Sequence, residues 1–348
     1  DRKGWRVVDN LRSQVHCAGS NNCAFGCPTG AKQSALVSYV PRALHFGTRI
    51  YSDLRALRVT RSGKRATGVE ARVVEADGRP GARVTVRARL VVSACGAIHT
   101  PALLARSGFR SPSGQLGRNL SLHPNCKVVA IFDEDVRGWE GVHQAYQVRQ
   151  FQDQGFLFAA VNIPPGILAM SLPCYGDALG RILADYRRMV VAGMLVEDSV
   201  VGHVRQLPNG QPLAFYQLAD ADADKLVRGT ALLCELLFEA GARRILLPFA
   251  GAGELTSPDD VKRLLSRPIP KSHMEVVTVH VMGTARMGGD RAGAVTDSHG
   301  MVYDAERLMV ADASLFPTPI GVNPAETISA LATRNAHFVI ENRRRFLT

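Results

Sequence analysis

The run Ala88-Arg-Leu-Val-Val-Ser-Ala-Cys-Gly96 constrains the fold more tightly than any other stretch of the chain. A short apolar run that stops at a glycine reads as a strand buried in a sheet. A helix is predicted to open just after it, near Thr100-Pro101, because proline is tolerated in a first helical turn. Strand, glycine and helix N-terminus together form the α/β turn that brings backbone close to a bound dinucleotide. The same turn also occurs in α/β proteins that bind nothing there, so the pattern fixes local fold before it fixes function.

The flanking sequence predicts what this turn is built into. Residues 49–52, 55–60, 67–75 and 82–89 are strand-like and separated by Ser62-Gly63 and Gly78-Arg-Pro-Gly81, as in a small antiparallel meander. A short helix is expected within 34–46, interrupted or begun by Pro41. From Pro124 to Lys271 the composition shifts to strands at 127–132, 143–148, 190–196, 203–206 and 213–218, with a helix over 177–189. Residues 222–241 form an amphipathic helix, with Leu226, Leu232, Leu233, Leu236 and Leu237 on helical spacings and Gly241 stopping it. A short buried strand at 308–314 carries Asp312 near its end. The expected class is α/β, with an α+β sheet-based domain over 124–275.

A length of 348 residues suits about two domains at ~100–200 residues each. The formal charge of +11 comes mainly from scattered arginines, with no basic face and no reading motif, which argues against a nucleic-acid partner. The longest mostly apolar stretch, 155–173, is broken by Asn162, Pro164, Pro165 and Gly166, so it supplies no transmembrane span. Seven unevenly spaced cysteines do not read as a secreted disulfide framework. No leader pattern precedes Asp1, and the compartment stays unassigned.

Two stretches carry chemistry. In Asn323-Pro324-Ala325-Glu326 a preferred N-cap residue precedes proline, and the glutamate stands at the third helical position of a capping box. A helix is expected to start there and to present its positive end to any anion in front of it. His280 lies 43 residues earlier, before a Gly-Thr turn; one of ten histidines, it gains interest only from its surroundings.

Those surroundings resemble a known family. His280-Val-Met-Gly-Thr-Ala-Arg-Met-Gly288, Asp297-Ser-His-Gly-Met-Val302, Leu308-Met-Val-Ala-Asp-Ala-Ser-Leu-Phe-Pro-Thr318 and Gly321-Val-Asn-Pro-Ala-Glu-Thr-Ile-Ser-Ala-Leu-Ala332 together resemble the C-terminal signature of the glucose-methanol-choline (GMC) flavoprotein oxidoreductases. Gly96-Ala-Ile-His-Thr-Pro-Ala-Leu-Leu-Ala-Arg-Ser-Gly108 resembles the family's internal signature, with Leu116-Gly-Arg-Asn-Leu120 and His123-Pro124 following in order. The resemblance implies FAD in a Rossmann-like domain made of 1–123 and 276–348, a substrate-binding domain over 124–275, and oxidation of a small, primary or secondary alcohol. It implies His280 as the general base, hydride delivery to flavin N5, and Asn323 on the substrate oxygen. The helix from Pro324 would face the flavin N1/C2=O edge, Asp312 and Ala313 would lie beside the pyrophosphate and ribityl chain, and Gly96 and Ala97 would admit the cofactor. The family's N-terminal Gly-x-Gly-x-x-Gly motif is absent, so the Rossmann-like part is expected to be incomplete and the chain a C-terminal piece. A degenerate scaffold that has lost its nucleotide site is a rival reading.

Cys17-Ala-Gly-Ser-Asn-Asn-Cys23-Ala-Phe-Gly-Cys27-Pro28 leaves two readings open. The spacing resembles the three-cysteine loop of FAD-dependent sugar dehydrogenases, which implies a three-iron cluster that passes electrons to a cytochrome partner, or an electron-transfer module without catalysis. Cys23-Ala-Phe-Gly-Cys-Pro-Thr-Gly-Ala-Lys32 equally resembles long-chain alcohol oxidases, for which no cluster is implied. The apolar stretch 155–173 tilts the substrate towards a hydrophobic alcohol, with core packing as the alternative.

Overall fold

The computed structural model describes residues 3–172 and 174–347; Asp1 and Pro173 lie outside the described residues. The chain is mixed α/β with several sheets, as expected, and its contacts divide it into two compact units. Among the described residues no helix is long and apolar enough to cross a membrane.

The first unit contains residues up to Arg49, then Pro124–Glu197 and Leu218–Val277. Its strands are β1 (Val7–Asp9), β7 (Asn125–Ile131), β8 (Tyr146–Val148), β9 (Phe156–Ala160), β10 (Met189–Val196), β13 (Arg244–Leu246) and β14 (Glu254–Leu255). They form one antiparallel sheet in the order β1-β8-β9-β10-β7-β13-β14. Side chains alternate along β7, so Cys126, Val128 and Ala130 join one core and Val129 and Ile131 the other. The first core is closed by helix α5 (Asp220–Glu239) through Leu226, Leu233, Cys234 and Leu237. The second is closed by α3 (Pro165–Met170) and α4 (Gly176–Ala184). Helices α1 (Tyr39–His45) and α6 (Pro258–Leu265) complete the unit.

Within 155–173 the structure settles one choice. Phe156, Leu157 and Phe158 are all buried, at 2% exposure or less, as central sheet residues, so this part of the stretch is core and gives no ground for a hydrophobic substrate. The predicted helix 177–189 is shorter, because Met189 already pairs with Ile131 at the start of β10.

The second unit comprises Ile50–His123, Asp198–Gln217 and Thr278 onward. The meander appears as β2 (Leu54–Ser62), β3 (Arg65–Val74) and β4 (Pro80–Arg87), while 49–52 is not a strand. Strand β5 (Val91–Ser93) leads into α2 (Gly96–Arg106). Strand β6 (Arg118–Leu120) pairs with β11 (Gly202–Gln206), which pairs with β12 (Pro212–Phe215). Strand β15 (Leu308–Val310) lies parallel to β5, Leu308 opposite Val91. Helices α7 (Ala325–Glu341) and α8 (Arg343–Leu347) end the chain. Val91 and Ser93 are buried, as are all three residues of β15, whereas Val92 is 48% exposed, so this parallel pair is covered on one side only at that point.

Helix α2 begins at Gly96, four residues before the predicted start, and Pro101 lies inside it. The cap comes from far away in sequence. One oxygen of Asp312 accepts the Gly96 N–H at 3.0 Å and the Thr100 hydroxyl at 2.5 Å. Pro101 has no N–H for the carbonyl of Ala97, and the Thr284 hydroxyl takes that place at 2.5 Å.

Candidate active site

Four segments of the second unit are stitched together around His280. Ser121 and Met282 exchange N–H···O bonds in both directions, at 3.0 and 3.1 Å. Past Met282 the chain runs beside residues 313–315: Gly283 N–H to Ala313 O at 3.1 Å, Ala285 to Ser314 at 2.8 Å, Met287 to Leu315 at 2.8 Å. Gly283 sits at φ +91°, where a Cβ would stand 2.2 Å from the carbonyl oxygen of Asn119. Only glycine serves there.

This stitching sets two histidines edge to face. His280 is buried, and its backbone N–H reaches the Thr278 hydroxyl at 3.1 Å. Its Nδ1 lies 3.2 Å from Nδ1 of His123, with the rings at 89°. Its Nε2 lies 3.3 Å from the side-chain amide nitrogen, Nδ2, of Asn323. His123 is fully buried, and its Nε2 accepts the backbone N–H groups of Ile320 at 3.3 Å and Gly321 at 3.2 Å. Burial lowers the pKa of both rings; for His123, with His280 as a second cause, it falls to about 4. Both imidazoles are therefore neutral near pH 7.

His123 stands at φ +48°, a left-handed backbone that is unusual immediately before a proline. Asp198 holds it there. The carboxylate accepts the Leu122 N–H at 2.8 Å and the His123 N–H at 3.3 Å, and the Tyr216 hydroxyl donates to it at 3.3 Å. Burial raises the Asp198 pKa, and these hydrogen bonds oppose the rise.

Asn323 corrects one expectation. It does not cap α7: Pro324 occupies the cap position at φ −86°, ψ −9°, no side-chain cap forms, and the Asn323 amide reaches His280 instead. The proposed capping box with Glu326 is therefore not made. Of the residues singled out in the sequence, His280 and Asn323 come together across 43 positions. Gly96, Ala97, Asp312 and Ala313 gather at the C-terminal ends of β5 and β15, tied to the His280 segment by the Thr284 to Ala97 and Gly283 to Ala313 bonds. Pro324 opens α7.

Cys17, Cys23 and Cys27 lie in the first unit as free thiols. Among the described residues no group of three His, Cys, Asp or Glu side chains is placed to hold a metal ion. Sequence reasoning missed Asp198, Tyr216 and Thr284, and quoted His123-Pro124 without a role. The one local signal was a histidine before a proline inside the recognised order of motifs.

A family model described as GMC oxidoreductase matches residues 1–125 with its N-terminal part and 201–332 with its C-terminal part. A GMC-type oxidoreductase of Sinorhizobium fredii, itself uncharacterized, is 34% identical over 343 residues, covering 98% of this chain and 67% of its own length. The chain belongs to the GMC oxidoreductase family. A second GMC-related sequence, a long-chain-alcohol oxidase of Arabidopsis thaliana, is 26% identical across 94% of this chain and 46% of its own. The fold is similar to that of pyridoxine 4-oxidase from Mesorbium loti, at a TM-score of 0.66 and 19% identity, over 90% of this chain and 62% of that one. This GMC chain thus spans between under half and about two thirds of the proteins it matches.

GMC membership implies FAD, and the turn at Gly96 and Asp312 fits part of a dinucleotide, the sequence carrying no Gly-x-Gly-x-x-Gly loop for the rest. Ligands of α/β sheets bind outside the carboxyl ends of parallel strands, which is where Gly96 and Asp312 stand. Gly96 has φ +76° and nothing within 4 Å of where a Cβ would point, so its outer side is open to a ligand. Beside it the Ser314 hydroxyl is buried with no partner.

Proposed function

We propose that this chain carries the reacting centre of an FAD-dependent enzyme that oxidises the CH–OH group of a small alcohol. The observation that carries the reading is the meeting of His280 Nε2 with the Asn323 amide, 3.3 Å apart, beside the N-terminus of the 17-residue helix α7. His280 is the acid–base group for the hydroxyl proton, and Asn323 holds the hydroxyl oxygen. The N-terminal end of α7 adds a partial positive charge on the same side as Asn323, suited to negative charge that develops during reduction. Bound FAD supplies the two-electron acceptor for the carbinol hydride.

In this reading Gly96 and Ala97 let backbone approach the cofactor, and Asp312 and Ala313 stand beside its pyrophosphate and ribityl chain. The second unit, Ile50–His123, Asp198–Gln217 and Thr278 onward, is the flavin-binding part and the first unit the substrate-binding part, which moves the expected bounds of 1–123, 124–275 and 276–348 mainly at residues 1–49 and 198–217. The likeness to a long-chain-alcohol oxidase supports an alcohol over other donors. The test is anaerobic bleaching of the flavin absorbance by a panel of alcohols. Wild-type protein bleaches with at least one alcohol, and His280→Ala, still yellow, bleaches with none. Unchanged bleaching by His280→Ala overturns the reading.

A further inference from the structure

The contacts of His123 fix more than its position. Backbone N–H groups only donate, and two of them, from Ile320 and Gly321, point at Nε2 of this ring. That nitrogen must be the acceptor, so the proton of neutral His123 lies on Nδ1. His123 Nδ1 faces Nδ1 of His280 at 3.2 Å, a contact that needs one donor and one acceptor. His123 is the donor, so Nδ1 of His280 is the acceptor and the His280 proton lies on Nε2.

We propose that His123 is a positioning residue: held by the Ile320 and Gly321 N–H groups, it fixes the proton of His280 on the nitrogen that faces Asn323. The inference rests on His280 being the acid–base group, and it specifies the form in which that group waits. At rest His280 meets the substrate oxygen as a hydrogen-bond donor, with its lone pair turned to His123. The Asn323 amide nitrogen stands 3.3 Å from Nε2, and two donors cannot face each other, so the amide turns over to present its oxygen to Nε2–H. For Nε2 to take the hydroxyl proton, the His280 proton must first move to Nδ1. His123 must then carry its own proton on Nε2, against the two backbone N–H groups. The backbone at 320–321 thereby holds the base in reserve until it lets go of His123.

The test reads protons directly, by nitrogen-15 NMR of histidine-labelled protein, without flavin or alcohol. It therefore stands or falls separately from alcohol oxidation. His123 is expected as the less common Nδ1–H form and His280 as Nε2–H, both neutral at pH 7. His123→Asn, which keeps an N–H donor towards His280, should preserve the His280 pattern. His123→Phe, which removes it, should move both His280 ring nitrogens towards averaged shifts as two forms exchange. The proposal is overturned by Nε2–H on His123, by Nδ1–H on His280, or by an unchanged His280 pattern in folded His123→Phe.

Discussion

His123 and His280, 157 residues apart in sequence, face each other through their Nδ1 atoms at 3.2 Å. Each ring is then engaged at its far nitrogen: His123 by backbone N–H groups, His280 by Asn323. A line of hydrogen bonds thus runs from the Asp198 carboxylate through the backbone of 122–123 to the nitrogen assigned to the substrate. Its inner members are buried, so a partner removed from the line leaves its neighbour unsatisfied rather than solvated.

This burial makes stability depend on pH with a definite sign. Unfolded His123 takes up a proton below about pH 6.5, whereas the folded ring resists until about 4. The unfolded state binds more protons in that window, so stability falls as pH drops through it. The loss reaches about 3 kcal/mol at most, and His280, lowered for the same reason, acts in the same direction. Denaturant titrations from pH 7 to 4 should show a steeper loss for wild type than for His123→Asn; equal slopes would refute this.

Asp198→Ala should cost about 2–3 kcal/mol, because the buried His123 N–H and the half-buried Leu122 N–H lose their acceptor. Asp198→Asn keeps one acceptor oxygen and should cost less. Chemical denaturation ranks the two. A smaller loss for alanine than for asparagine would mean that the carboxylate is not what holds 122–123.

How much of this was readable from the sequence depends on how local each cause is. The leucine spacing over 222–241 gave α5 to within two residues at either end, because the amphipathic pattern and the turn at Gly241 (φ +101°) lie within the segment. The start of α2 was missed by four residues, because its cap is Asp312, more than 200 positions away. Local rules favoured Asn323 as a cap, and the tertiary contact with His280 won. Histidine 123 was visible only as a member of a motif, since its partners come from 280 and 320–321. The order of motifs identified the family, but no pairing rule within the chain could show which side chains meet.

The cysteine loop offers a test independent of the flavin. The backbone N–H of Lys32 and then the Thr29 hydroxyl, 3.7 Å away, lower the Cys27 pKa to about 7. Burial pushes Cys126 up to about 12 and raises Cys234 as well. At pH ~7 a large share of Cys27 is thiolate, the form that alkylates. Iodoacetamide followed by peptide mass mapping should modify Cys27 first and leave Cys126 and Cys234 untouched in folded protein. Prior labelling at Cys126 would contradict the structure.

Gly283 provides the sharpest steric test of how the site is assembled. A side chain there must adopt φ +91° and place its Cβ 2.2 Å from the Asn119 carbonyl, a backbone atom that cannot turn aside. Relieving the clash means separating the 282–287 segment from 117–121, and with it the bonds that carry His280 to His123. Gly283→Ala should therefore lose about 3 kcal/mol or more, or fail to fold. Gly289→Ala, six residues on, where nothing stands within 4 Å and φ is not positive, should stay within about 1 kcal/mol of wild type. Thermal denaturation of the two variants side by side separates strain at one position from a general intolerance of the loop. Comparable losses at both would show that the close approach at Gly283 does not hold the two segments together.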